Sequence, residues 1–276
     1  MLKGKYRHFS DINPTFFKIA AKKEILRRHI KNAFGGVKFA RETSDETLPV
    51  VVYSHSSDMI KRGPGVDPKT QENKAVNIGI ASSKMHRTLI KPGETFSFWD
   101  RVGSISAKKG YLEGRILKSG VLTTGTGGGL CNLANTLNLL ILHSPLDITE
   151  FHSHSDALAP DQGERRPMAN GTSVFYNSVD YRFKNNTDQT FQLLIRCEGD
   201  TLLAELRSEK EIPFTYDLIE EDHHFTKEGE KYYRVSKIYK ITKDRETGEE
   251  IKRELFLDNH SLVHFDYSLI PEELIR

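Results

Sequence analysis

The chain is poor in cysteine, has no long apolar run and is almost balanced in charge, and each shortage removes a class of protein. Its two cysteines, Cys131 and Cys197, give neither a CxxC pair nor the density of a disulfide-framed secreted scaffold, so both read as reduced thiols. No stretch of about 18 apolar residues is present to span a bilayer, and the first residues lack the short apolar core and small-residue cleavage site of a secretory leader. The chain therefore reads as cytoplasmic, with no signal peptide and no transmembrane segment. A net charge of +2 gives no whole-chain reason to expect a nucleic-acid partner. What remains is a chain of 276 residues, long enough to bury a core without staples.

One local bias departs from the balanced total. Up to Lys38 the basic residues are Lys3, Lys5, Arg7, Lys18, Lys22, Lys23, Arg27, Arg28, Lys31 and Lys38, against Asp11 and Glu24. Within this segment Phe16, Phe17, Ile19, Ala20, Ile25, Leu26 and Ile30 recur at roughly helical spacing, Asn13 suits an N-cap, and Gly35-Gly36 stops the run. The pattern predicts an amphipathic basic helix over residues 14–34. Two readings are open: peripheral contact with a membrane surface or docking partner, or an ordinary surface helix whose apolar face packs on its own domain with the lysines in water.

Further along, Leu48 to Tyr53 reads as a strand entered through Pro49, residues 62–68 as a Gly/Pro loop, Gln71 to Leu89 as a helix and Glu94 to Trp99 as a half-buried strand. After Gly129, the apolar positions Leu130, Leu133, Ala134, Leu137, Leu140 and Ile141 fit a helix that Pro145 ends. Ile148 to His154, Val179 to Phe183, Thr190 to Arg196 and Leu202 to Leu206 suit strands, with a polar loop from Asp156 to Arg166. Beyond Pro213, Lys231 to Thr242 and Glu250 to Leu257 form a hairpin pattern around Thr247-Gly248. These elements predict an α+β fold in which the Cys131 helix packs on a mainly antiparallel sheet. They divide the chain into an N-terminal helical segment (1–48), a central domain (49–211) and an accessory β segment (212–276).

The glycines at 125, 127, 128 and 129 precede a helix, as in a phosphate loop. However, no Gly-Lys-Ser/Thr follows, and Leu130 stands where a dinucleotide fingerprint needs glycine or alanine. The same geometry suits a cysteine nucleophile. In the first helical turn, unpaired N–H groups and the macrodipole would lower the Cys131 pKa and hold an oxyanion, with Gly127, Gly128, Gly129 and Asn132 beside the substrate. His152 and His154, two apart on a strand, share a face, and either could serve as base. The plainer reading makes each cysteine a small buried hydrophobe, and Cys197, in the apolar run Phe191 to Cys197, is assigned to it. A metal on Cys131, His152 and His154 lacks a fourth ligand, with His223-His224 far along the chain, so neither metal nor cofactor is expected. Arg165 and Arg166 could clamp a substrate carboxylate or simply be solvated.

Four strings carry a resemblance: Gln71-Glu72-Asn73-Lys74 with Asn77; Lys91-Pro92-Gly93-Glu94-Thr95-Phe96-Ser97-Phe98-Trp99; Gly127-Gly128-Gly129-Leu130-Cys131-Asn132; and Glu150-Phe151-His152-Ser153-His154-Ser155. In this order they resemble the VanW family, over about Gln71 to Leu206. The resemblance implies a link to the cell wall and glycopeptide resistance. It also implies a possible activity, cysteine L,D-transpeptidase-like acyl transfer on a peptidoglycan-type peptide or precursor, with Cys131 as nucleophile and His154 as general base. The alternative is a non-catalytic, envelope-associated binding or accessory protein. Against the family pattern, Asn132 replaces glutamine, Phe151 replaces arginine, and Gly171-Thr172-Ser173-Val174 stands where Asp-Ala-Thr-Val is common, so no orienting carboxylate is supplied there.

Overall fold

The computed structural model describes residues 14–62, 66–118, 121–154, 156–157, 160, 166–168, 171–176 and 178–276. Arg165, Asn13 and the basic residues before position 14 lie outside them. The elements run α1 (Pro14–Phe34), β1 (Val50–Asp58), α2 (Pro68–Met85), β2 (Thr88–Ile90), β3 (Thr95–Ser97), α3 (Phe98–Val102), β4 (Glu113–Lys118), β5 (Val121–Thr126) and α4 (Leu130–Leu142). Then follow β6 (Asp147–Glu150), β7 (Asp156–Ala157), β8 (Arg182–Lys184), β9 (Phe191–Glu198), β10 (Thr201–Ser208), β11 (Phe214–Glu228), β12 (Lys231–Asp244) and β13 (Glu250–Val263). The fold class is α+β.

Four sheets result. The central one has the order β1-β10-β9-β2, antiparallel throughout, with β9 and β10 joined as a hairpin from Thr201↔Glu198 to Ser208↔Phe191. A three-stranded sheet has the order β3-β8-β6, β4 and β5 form a hairpin, and the long meander β11-β12-β13 takes β7 as a parallel neighbour.

Local chemistry explains the boundaries. The Asp67 carboxylate accepts the N–H groups of Lys69 (3.1 Å) and Thr70 (3.3 Å), and Pro68 begins α2 in the conformation proline already holds. The helix stops at Met85, short of the expected Leu89, because Arg87 takes φ 64° and Thr88–Ile90 pair with β9. The expected strand 94–99 is cut at Ser97, whose hydroxyl accepts the Asp100 N–H (3.1 Å) and turns the chain into α3.

Helix α4 is the centre of the core. Leu133, Ala134, Leu137, Leu140 and Ile141 are buried with Ile78, Ala81 and Met85 of α2 and with Leu193, Ile195, Leu202, Ala204 and Leu206 of the central sheet. Its far end joins a second cluster, in which Leu139, Leu142 and Met168 pack with Ile238 of β12. Cys197 departs from its expected burial. The apolar part of β9 ends at Ile195 and the strand outruns the core, leaving Cys197 exposed with its sulfur 3.6 Å from Ser82 Oγ.

Helix α1 also departs from the ordinary surface-helix reading. Leu26, Ile30 and Phe34 face solvent, while Arg28 and Asn32 meet the body of the protein.

Candidate functional site

The string Lys91 to Trp99 is a framework for β3, α3 and β8. Glu94 turns its carboxylate back onto the Lys91 N–H (3.0 Å), and Phe96 stacks on Phe183 with ring centroids 4.8 Å apart. Asp180, fully buried, accepts from Ser97 Oγ (2.6 Å), Trp99 N (3.0 Å), Tyr181 N (2.9 Å) and Arg182 Nε (2.7 Å). A buried carboxylate is tolerable only when its lone pairs are used in this way. The Trp99 indole adds a bond to the Val179 carbonyl (2.8 Å).

The second string, on α2, reaches the glycine run. Asn77 is buried, donates from Nδ2 to the carbonyls of Leu112 (3.0 Å) and Gly128 (3.0 Å), and accepts the Leu112 N–H (2.8 Å). Asn73 donates to the Glu113 carbonyl (2.7 Å). Gly128 lies against the backbone of Gly114, where any Cβ would overlap it, and Gly129 caps α4 at φ 97° with the Lys74 stem packed over it. The glycines are therefore required by close packing of the β4–β5 hairpin under α2. Two of the N–H groups expected to face substrate are already used, Gly127 N on the Leu112 carbonyl (2.9 Å) and Gly128 N on that of Gly125 (3.3 Å).

Cys131 is the second residue of α4, as expected from sequence. Its thiol is half-buried and donates to the Val174 carbonyl at 3.7 Å. Burial pushes the thiol pKa up, and the backbone of Val174 and of Cys131 itself offsets this only in part. This reverses the depressed value expected from the helix N-terminus alone. Asn132 turns to β1, with Oδ1 3.3 Å from Ser57 Oγ and Nδ2 3.5 Å from the Asp58 carbonyl.

The histidines stand one ribbon away. The strand expected over Ile148 to His154 ends at Glu150, and Ser153 then pairs with Thr172 across a single antiparallel bridge. His154 N–H bonds the Gly171 carbonyl (2.7 Å) and Ser173 N–H bonds that of His152 (2.8 Å). Thr172 turns its hydroxyl (2.8 Å) and N–H (3.2 Å) to Asn135 Oδ1 of α4. His152 Nε2 lies 3.3 Å from Glu150, and His154, whose pKa burial lowers, is near the Asp156 charge. The structure thus sets Cys131 and Asn132 directly after the glycines, and joins the backbone of His152 and His154 to the 171–173 stretch that leads to Val174, the partner of the Cys131 thiol.

Arg166 is exposed, and its charge is felt at Tyr53 and His55. Tyr53 stacks on His143 at the C-terminal end of α4 (centroids 3.9 Å), about 18 Å along the helix from Cys131 at 1.5 Å per residue. Among the described residues, no group of three or more His, Cys, Asp or Glu side chains converges as a metal site would require.

Sequence reasoning assigned no role to Lys74. Burial, together with the Lys61 charge and against that of Asp58, lowers its pKa to about 8, and its stem covers the cap of α4. The available signal was the i, i+3 spacing of Lys74 and Asn77, which places both on one side of α2.

Residues 73–207 match the family model described as VanW like protein. The chain is 27% identical over 226 residues, 82% of each chain, to the vancomycin B-type resistance protein VanW of Enterococcus faecalis (strain ATCC 700802 / V583). It is also 27% identical over 139 residues, 50% of this chain and 44% of the relative, to the uncharacterized protein YoaR of Bacillus subtilis (strain 168). No solved structure matches it. No described helix is long and apolar enough to cross a membrane.

Proposed function

The chain belongs to the VanW family through residues 73–207, and from that premise we propose that it is a glycopeptide-resistance-related accessory protein of the cell envelope that acts by binding a peptidoglycan-type peptide or precursor. The observation behind the binding reading is the state of Cys131, whose half-buried thiol donates to the Val174 carbonyl, with its pKa raised by burial. A nucleophile needs a thiolate and a base within reach. In this reading Cys131 is a half-buried packing residue of α4.

Acyl transfer is the second reading, favoured by one observation: the sulfur sits in the first turn of a 13-residue helix, at the positive end of its dipole. In that chemistry the Cys131 thiolate adds to an amide carbonyl, the acyl thioester forms, and the amine leaves with a proton from His154. The 171–174 segment would first have to lift from the sulfur.

Mass spectrometry of the intact protein after incubation with stem tetrapeptide separates the two. Binding alone leaves the protein mass unchanged and survives Cys131→Ala. A peptide-acyl adduct on Cys131 would overturn the accessory reading.

A further inference from the structure

We propose that the outward face of α1 docks on an anionic lipid bilayer, with Leu26, Ile30 and Phe34 as the inserted side chains. This inference stands on the orientation of the helix and is independent of how Cys131 is read.

The body of the protein holds the polar side of α1. Arg28 makes two 2.6 Å bonds to the Glu150 carboxylate and a third to the Ser178 carbonyl (3.2 Å), and Asn32, four residues on, accepts from Arg182 (2.8 Å). Burial acts to raise the Glu150 pKa, but the Arg28 hydrogen bond and charge outweigh it and keep the carboxyl below the usual carboxylate range. The latch is therefore charged and closed at neutral pH, and it fixes which side of the helix faces out.

That outer side carries the large apolar side chains. Leu26, Ile30 and Phe34, spaced four apart, form one stripe and are 61%, 51% and 86% exposed. A helix serving only its own domain turns such a stripe to the core; here ion pairs hold the inner side and the apolar stripe is in water. At 100° per residue, Lys22 borders the stripe on one side and Arg27 and Lys31 on the other, while Lys23 rises between Ile30 and Phe34 with a stem long enough to carry its ammonium to the headgroups; all four are exposed. Glu24, which lies 3.8 Å from Arg27, is the acid among them.

An apolar stripe with cationic borders matches the section of a bilayer, hydrocarbon below and phosphate headgroups level with the lysines. A second copy of the chain laid on this stripe would set the same cationic borders against each other. Charge complementarity thus selects the anionic lipid surface.

The test is cosedimentation of the full chain with vesicles of phosphatidylcholine alone or mixed equally with phosphatidylglycerol, at low and high salt, with light scattering for self-association. The wild type should pellet with the anionic vesicles and be released by salt. Ile30→Glu/Phe34→Glu should weaken partitioning by roughly tenfold or more, because exposed side chains that insert are worth a sizeable fraction of their burial energy. Lys22→Gln/Lys23→Gln/Lys31→Gln should remove the preference for anionic lipid. Far-UV circular dichroism checks that both variants keep their helices. No pelleting of the wild type, equal pelleting of wild type and Ile30→Glu/Phe34→Glu, or a dimer that this variant abolishes without vesicle binding would each overturn the proposal. An acyl adduct on Cys131 in the preceding assay would leave it untouched.

Discussion

At the scale of the residue, Cys197 is exposed where sequence suggests burial, and Cys131 is half-buried at its helix N-terminus. Cys131 has the helix N-terminus, but it also has the Val174 carbonyl on its thiol and a raised pKa. Cys197 has an apolar sequence around it, yet it sits past the end of the buried part of β9. Thiol reactivity requires both thiolate and access. A short iodoacetamide pulse on the native protein near pH 7.5 should therefore label Cys197 first and the half-buried Cys131 more slowly. Peptide mapping checks the order, and prompt labelling of Cys131 would show that its cover opens readily. Sequence could not supply this, because the cover comes from residues some 40 positions downstream.

At the scale of the element, helices were the most legible. The α4 pattern from Leu130 and its stop before Pro145 gave Leu130–Leu142, and the basic run with Gly35-Gly36 gave Pro14–Phe34. Both are set by local periodicity and punctuation. The β4–β5 hairpin was missed because its glycines answer to a partner distant in sequence: Gly128 has no Cβ because Gly114 occupies that space. The long strand β11 was missed because its pattern mixes acids and histidines with apolar residues, and its pairing with β12 is decided by tertiary contact. Gly79 of α2 and Gly128 before α4 allow a test of the packing argument. A Cβ at Gly79 would meet open space in a helix interior, so Gly79→Ala should stabilise by about 0.5–1 kcal/mol. Gly128→Ala pushes a methyl into backbone and should destabilise by about 1–3 kcal/mol or more. Denaturant midpoints with unchanged slopes would read both, and a neutral Gly128→Ala would show that the hairpin is free to move away from α2.

At the scale of the whole molecule, a buried lysine sits at each end of α4, and the pair sets how stability varies with pH. Lys74 covers the N-terminal cap. Lys240 of β12 joins the long meander to the other end, donating to the Ser144 carbonyl (2.7 Å) over the Tyr216 ring (4.7 Å). Burial lowers each to about 8, below the value it recovers in the unfolded chain. From about pH 8 upward the folded protein has lost protons that the unfolded chain still binds, so stability rises with pH, and below that range both states are charged and the penalty is constant. The histidines that burial lowers, His55, His86, His143 and His154, add their own rise below about pH 7 and are finished by then. Acids raised by burial act in the opposite sense. Cys131, Tyr53, Tyr111, Tyr181 and Tyr216, the last pushed up to about 12, keep protons when folded that the unfolded chain releases near pH 9 to 10. Stability should therefore increase between pH 8 and 9, by on the order of 1 kcal/mol for each lysine, and turn over toward pH 10. Lys240→Met should reduce the slope of that rise in thermal or urea unfolding and leave the parts due to Lys74 and to Lys84, which burial also lowers. A wild type that loses stability steadily from pH 8 would mean that water reaches both ammonium groups and that the meander is not seated on α4 through Lys240.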